Sequence, residues 1–130
     1  MTKLLWLTLP LLATACATTR DEQKASVDAK LETALAGKVA GKAQTCLSLI
    51  DARDSQTFDN GTILYRAGRN ITYRNDMNGC SQLSWNSYPV FDIRGSQICR
   101  GDIVQIVDRS GTGVRGACSV GEFIPYRKAG

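Results

Sequence analysis

Apolar and polar positions follow two different rhythms along the chain, and the rhythm changes near residue 45. In DEQKASVDAKLETALA (21–36), Val27, Leu31, Ala34 and Leu35 recur at i, i+4, i+7 and i+8. That spacing lays one apolar stripe along a helix built from good helix formers. Asp21 and Glu22 suit its positive N-terminal end, and Gly37 suits its stop. The stripe predicts docking on the rest of the domain, with pairing to a partner helix as the alternative. GKVAGKAQT (37–45) reads as a flexible connector.

From Cys46 onward, short apolar runs alternate with turn residues. TCLSLIDA (45–52) reads as a strand. Asp59-Asn60-Gly61 carries a hairpin signal, and TILYR (62–66) and NITYR (70–74) flank the Ala67-Gly68-Arg69 turn. Asn78-Gly79 marks another turn. VFDI (90–93) predicts a strand with Pro89 at a sheet edge. GDIVQIVD (101–108) holds Ile103, Val104, Ile106 and Val107, which predicts a central strand covered on both sides. SGTG (110–113) turns the chain into VRGACSV (114–120), and GEFIPY (121–126) closes the domain. Six or seven short strands predict a mainly β fold, a small antiparallel barrel or sandwich preceded by one N-terminal amphipathic helix.

The start of the chain is an address. In MTKLLWLTLPLLATA (1–15), Lys3 gives a positive start, Leu4 to Leu12 a short apolar core, and Ala13-Thr14-Ala15 a small-residue end. This is a bacterial secretory signal pattern, too short to span a bilayer. Ala13-Thr14-Ala15 fits an ordinary cleavage site. Followed by Cys16, the same residues resemble a lipobox, although Leu12 lies one position further from the cysteine than is usual. Acylation of Cys16 leaves an even number of cysteines for an exported chain. The resemblance implies a lipid anchor at Cys16, and Ala17 after it implies the outer membrane, with the domain facing the periplasm. The alternative is a soluble periplasmic protein. The division is then 1–15 signal peptide, 16–42 tether and helix, and 43–130 β domain.

Cys46, Cys80, Cys99 and Cys118 are too widely spaced for a structural zinc site, so two disulfides are expected. A hairpin turning near Gly111 sets Cys118 opposite Asp102–Val104. Cys99 is then out of reach of it, which disfavours Cys99–Cys118 and with it Cys46–Cys80. Of the two remaining patterns, Cys80–Cys99 with Cys46–Cys118 is preferred because it ties the first strand to the last. Each bridge is expected to add ~2–4 kcal/mol.

The 130 residues contain no histidine, which removes serine–histidine and cysteine–histidine pairs and histidine metal ligands. G-x-S-x-G, S-x-x-K, P-loop and G-x-G-x-x-G motifs are missing as well. Carboxylates are the remaining catalytic candidates: Asp51 and Asp54, then Asp102, Asp108 and Glu122 around the last strands. Turn-capping is the simpler role for them. Arg100-Gly101-Asp102 spells an adhesion tripeptide, but a glycine turn with an Arg–Asp pair explains it more simply. Trp85, near Tyr88, reads as core. A net charge of +4 is too mild to argue for nucleic acid. Arg66, Arg69 and Arg74, around one hairpin with Tyr65 and Tyr73, form a candidate patch for an anionic ligand or lipid headgroup.

Cys46-Leu47-Ser48-Leu49, TILYR, YRN (73–75), Gly79-Cys80, ICRGD (98–102) and CSVGEFIPY (118–126) resemble small exported proteobacterial proteins of unknown function. The likeness covers about residues 35–126 and rests on cysteines and turn glycines. It implies a cysteine-stapled β domain behind an export signal and brings no catalytic residues. The expected role is a non-enzymatic binding or structural module of the envelope, without cofactor or metal. Its expected partner is an envelope protein or an anionic envelope component. The alternatives are a soluble hydrolase inhibitor and an aspartate-dependent enzyme acting on glycans.

Overall fold

The computed structural model describes residues 19–80, 82–84, 86–111 and 113–129. The stretch expected to be a signal peptide, Cys16 as the expected acylation site, and Trp85 therefore lie outside the described residues. Helix α1 (Thr19–Ala34) comes first, with Asp21 and Glu22 in its first turn. Gly37, at φ 73°, lets the chain turn away after it. Val27 and Leu31 are buried, and Ala34 and Leu35 pack beside them.

The stripe docks on a sheet. β3 (Ser55–Thr57), β4 (Thr62–Ala67) and β5 (Ile71–Asp76) form a meander. β10 (Phe123–Lys128) and β1 (Lys38–Ala40) extend it to five antiparallel strands in the order β1-β10-β5-β4-β3. The β3–β4 turn needs Gly61 at φ 85°, and Asn60 Oδ1 accepts from the Thr62 N–H at 3.0 Å. Strand alternation then sends Ile63 and Tyr65 of β4 inward and Leu64 outward. Leu64 and Phe58 meet Val27 and Leu31, so α1 covers the outer side of this sheet.

Two smaller sheets complete a sandwich-like arrangement. β2 (Cys46–Ser48) pairs with β7 (Gln97–Cys99), and β6 (Ser87–Phe91), β8 (Ile103–Asp108) and β9 (Val114–Ser119) run in the order β6-β8-β9. None of the three sheets closes on itself. Their inner faces share one core: Ile63, Tyr65 and Phe123 from the first, Leu47 and Ile98 from the second, Val104 and Ile106 from the third. The Tyr65 and Phe123 rings sit 6.0 Å apart at its centre. Between β9 and β10 the chain bends at Gly121. The buried Asn75 clamps that bend, its Nδ2 donating to Gly121 O at 2.9 Å and its Oδ1 accepting from Gly121 N at 3.1 Å. A Cβ at Gly121 would run into the Asp76 carbonyl oxygen.

Several expectations need correction. Residues 38–40 are not connector but β1, hydrogen-bonded along β10, so the β structure begins before residue 43. Their alternation is too short to register as a strand. Residues 45–52 are strand only over Cys46–Ser48, after which the chain turns. Among the described residues the strands number ten, because three-residue pieces such as β3 and β7 carry too few positions to show a period.

The disulfides are Cys46–Cys99 and Cys80–Cys118, not Cys80–Cys99 with Cys46–Cys118. The β8–β9 register places Cys118 opposite Val104, as the hairpin argument required. That argument could not foresee the β2–β7 ladder, in which Cys46 and Cys99 are direct cross-strand neighbours. Arg100 N donates to Thr45 O and Leu49 N to Ser96 O on either side of them. The cysteines thus occupy a non-hydrogen-bonded pair, where strands come closest, and their Cα atoms are 4.0 Å apart. Cys80 reaches Cys118 because Asn78 and Ser119 exchange backbone hydrogen bonds, at 2.9 and 3.2 Å, one step away.

Candidate interaction surface

The three arginines singled out from the sequence have different surroundings. Arg66 and Arg74 lie on the helix side of the five-stranded sheet, whereas Tyr65 and Tyr73, paired directly across β4 and β5, are buried on the core side. Arg66 turns toward β3, its Nη2 donating to Gln56 Oε1 at 2.5 Å and its Nη1 lying 3.9 Å from Asp54. Arg74 Nε donates to Asp76 Oδ1 at 3.1 Å. Its side chain also lines a groove of about 420 Å³ under α1, shared with Asp28, Glu32 and Tyr126. Arg69 is exposed in the turn.

The candidate carboxylates are mostly engaged in structure. Asp54 faces Arg66. Asp102 Oδ2 accepts from the Cys99 N–H at 2.8 Å and closes a turn. Arg100 donates to Glu122 at 2.9 Å rather than pairing with Asp102, so the Arg-Gly-Asp triplet is folded onto its own surroundings. The β8–β9 ladder shifts register between Ile106 and Val107. At this bulge Arg115 meets Asp108, whose side chain is buried, with Nε 2.7 Å from Oδ2. Asp108 Oδ1 also accepts from the Ser110 N–H at 2.9 Å. Among the described residues no group of three or more Cys, Asp or Glu could hold a metal ion.

A different surface stands out. In β8, Val104, Ile106 and Asp108 are buried, which sends Ile103, Gln105 and Val107 to the other face. The register puts Tyr88 of β6 beside Val107 and Val90 beside Gln105. On β9, Val114, Ala117 and Ser119 lie beside Val107, Gln105 and Ile103. This outer face carries no charged side chain among the described residues. Ile103 and Val114 are 59% exposed, and Tyr88 and Val90 about 40%. Charges appear only at the two ends of the strands. At one end the Arg109 guanidinium lies 5.9 Å from the Tyr88 ring centroid, and Arg109 N donates to Asn86 O. At the other, Asp92 and Arg94 follow β6 at 3.9 Å from each other.

GDIVQIVD was expected to be covered on both sides, and the structure covers one. Four apolar residues out of five look doubly buried. Only the two-residue period, with Gln105 in phase with Ile103 and Val107, separates a core side from an outer side. The sequence holds the signal but not the identity of what lies over each side.

The fold defines a mainly β, two-disulfide, sandwich-like domain with one docked helix. Its bridges indicate an oxidising, extracytoplasmic compartment. No helix among the described residues is long and apolar enough to cross a membrane. Comparison with protein-family models, curated proteins and solved structures finds no match to this chain.

Proposed function

We propose that the chain is a lipid-anchored, non-enzymatic module of the bacterial cell envelope. In this reading it is held by acylated Cys16 on the periplasmic side of the outer membrane and assembles through the outer face of the β6-β8-β9 sheet. The observation that carries the reading is that uncharged face. Soluble proteins seldom leave a contiguous apolar patch open without a use for it. The export-type N-terminus, its Cys16 and the likeness to small exported proteins supply the anchor and the compartment. The engagement of Asp54, Asp102, Asp108 and Glu122 in turns and ion pairs favours binding over catalysis.

Palmitate labelling with membrane fractionation tests the anchor. Wild type should incorporate label and sediment with outer membrane, and Cys16→Ala should do neither. An unlabelled wild type would overturn the anchor.

A further inference from the structure

We infer that Asn78-Gly79, in the loop between β5 and β6, is a site of spontaneous deamidation whose isoaspartate product loosens the link between the five-stranded sheet and β9. The inference rests neither on the lipid anchor nor on the surface proposed above.

Two asparagines in the chain are followed by glycine, Asn60-Gly61 and Asn78-Gly79. A glycine has no side chain to shield its amide nitrogen, and that nitrogen can attack the side-chain carbonyl carbon of the asparagine before it. The new carbon–nitrogen bond expels ammonia and leaves a cyclic imide. Water then opens the ring at either carbonyl, giving aspartate or isoaspartate. The fold treats the two sites differently. Asn60 Oδ1 accepts from the Thr62 N–H at 3.0 Å, which holds its side chain in a turn. Gly61 N donates to Phe58 O at 3.1 Å, and Gly61 O accepts from Met77 N at 3.1 Å. The nucleophile's proton is committed there, and its residue is pinned on both sides. Gly61 is also buried, and a Cβ on it would stand 3.0 Å from Cys80 O, so the turn has little room to close a ring. Asn78 and Gly79 are both exposed, and a Cβ on Gly79 would meet nothing within 4 Å. Among the described residues neither the Asn78 side chain nor the Gly79 N–H has a hydrogen-bond partner. The Asn78 carbonyl does have one, because Ser119 N donates to it at 3.2 Å. When Gly79 N gives up its proton, negative charge spreads onto that carbonyl oxygen. The bond from Ser119 therefore favours the attacking form.

Position gives the reaction its effect. Asn78 N also donates to Ser119 O at 2.9 Å, so the two residues form a bridge. Cys80 and Cys118, close beside it, are joined covalently. The segments 78–80 and 118–119 are thereby closed into a short ring, and isoaspartate adds a backbone methylene inside it. The bridge and the disulfide then cannot both keep their register, and the hydrogen bonds yield before the covalent bond. Aspartate at the same place adds a carboxylate to a groove of about 340 Å³ already lined by Asp76, Glu122 and Arg100, but leaves the backbone length unchanged. Lengthening and charge are therefore separable.

The test is peptide mapping by mass spectrometry of the disulfide-intact chain aged in mildly alkaline buffer, with the reduced, urea-unfolded chain aged beside it. Isoaspartate is read by enzymatic methylation. In the folded protein Asn78 should lose its amide at least about tenfold faster than Asn60, a barrier lower by about 1.4 kcal/mol. In the unfolded chain the two sites should react at similar rates. Aged wild type should show faster amide hydrogen exchange at Ser119. Asn78→Gln, whose longer side chain closes a ring less readily, should show neither the modification nor the faster exchange. Freshly prepared Asn78→Asp should exchange as unaged wild type does. Equal rates in the folded protein, faster loss at Asn60, or a folded protein in which neither site reacts would each overturn the site. Ser119 exchange that is unchanged in the isoaspartate form, or that rises equally in fresh Asn78→Asp, would overturn the loosening.

Discussion

Leu64 on β4 and Ile103 on β8 both point away from the shared core, each on the outer side of an antiparallel sheet. Leu64 is fully covered and Ile103 is 59% exposed. The difference lies in what the chain supplies over each sheet. A helix of 16 residues is ~24 Å long and covers one sheet face. The stripe Val27, Leu31, Ala34 and Leu35 is used up on the five-stranded sheet. Among the described residues there is no second helix, so the three-stranded sheet keeps an apolar face with no other described element upon it. Strand alternation decides which residues leave the core, and only a further element decides whether they become core in turn.

The sharpest way to break this contrast is to truncate both residues. Leu64→Ala removes a side chain held between helix and sheet and should cost about 2–5 kcal/mol, read from the urea midpoint. Ile103→Ala, measured in dilute monomer, should stay within about 0.5 kcal/mol, the range of ordinary surface changes. A loss at Ile103 matching that at Leu64 would mean that part of the chain itself covers the open face.

The bridges bear on how firmly the two regions are joined. Cys80–Cys118 connects the chain leaving β5 to β9, and so one side of the contrast to the other, whereas Cys46–Cys99 lies within the small β2–β7 sheet. Replacing either pair with alanine should cost ~2–4 kcal/mol, since the sequence separations of 53 and 38 residues give similar loop-closure entropies. The location of the damage should differ. Amide hydrogen exchange should rise through β8 and β9 after loss of Cys80–Cys118, and stay within β2, β7 and their turns after loss of Cys46–Cys99. Equal loosening everywhere would mean that the sheets do not open separately.

Tyr65 offers a probe of the covered side alone. Burial pushes its phenol well above the usual tyrosine range, because the anion cannot be solvated in the core. The folded state therefore holds the proton after the unfolded state has released it. The stabilising contribution is complete below about pH 10 and falls by about 1.4 kcal/mol per unit as pH rises past that value. Tyr65→Phe should remove this alkaline component. An unchanged slope in the variant would place the loss on other groups.

Much of this architecture was legible because it rests on local chemistry. The helical stripe, the turns at Gly61 and Gly68 and the β8–β9 hairpin each have a residue or a period that forces them. The disulfide pairing was not legible. It depends on β2 meeting β7 across 53 residues of sequence, and neither three-residue strand has a pattern that specifies its mate. The open face was half legible. Ile103, Gln105 and Val107 share a phase, but coverage of a face is a property of the whole fold. The surroundings of the arginines were not legible for a related reason: nearness along a hairpin does not say which way side chains point, nor which carboxylates await them.

Those arginines give the smallest predicted effect. Arg66 is exposed, and its ion pair with Asp54 is 3.9 Å long, so Arg66→Ala should change stability by less than about 0.5 kcal/mol. Arg74 is only 29% exposed, pairs with Asp76, and shares a groove with Asp28 and Glu32. Arg74→Ala removes the cation paired with Asp76 and should cost somewhat more, about 1 kcal/mol, with the loss shrinking as salt screens the pair. Inorganic phosphate separates this from an anion site. If the guanidiniums are as fully engaged as their partners indicate, millimolar phosphate at constant ionic strength leaves the melting temperature of wild type unmoved. A rise of several degrees that vanishes in Arg74→Ala would restore the arginines as a binding site, and would make the helix-covered side, rather than the open one, the working surface of the molecule.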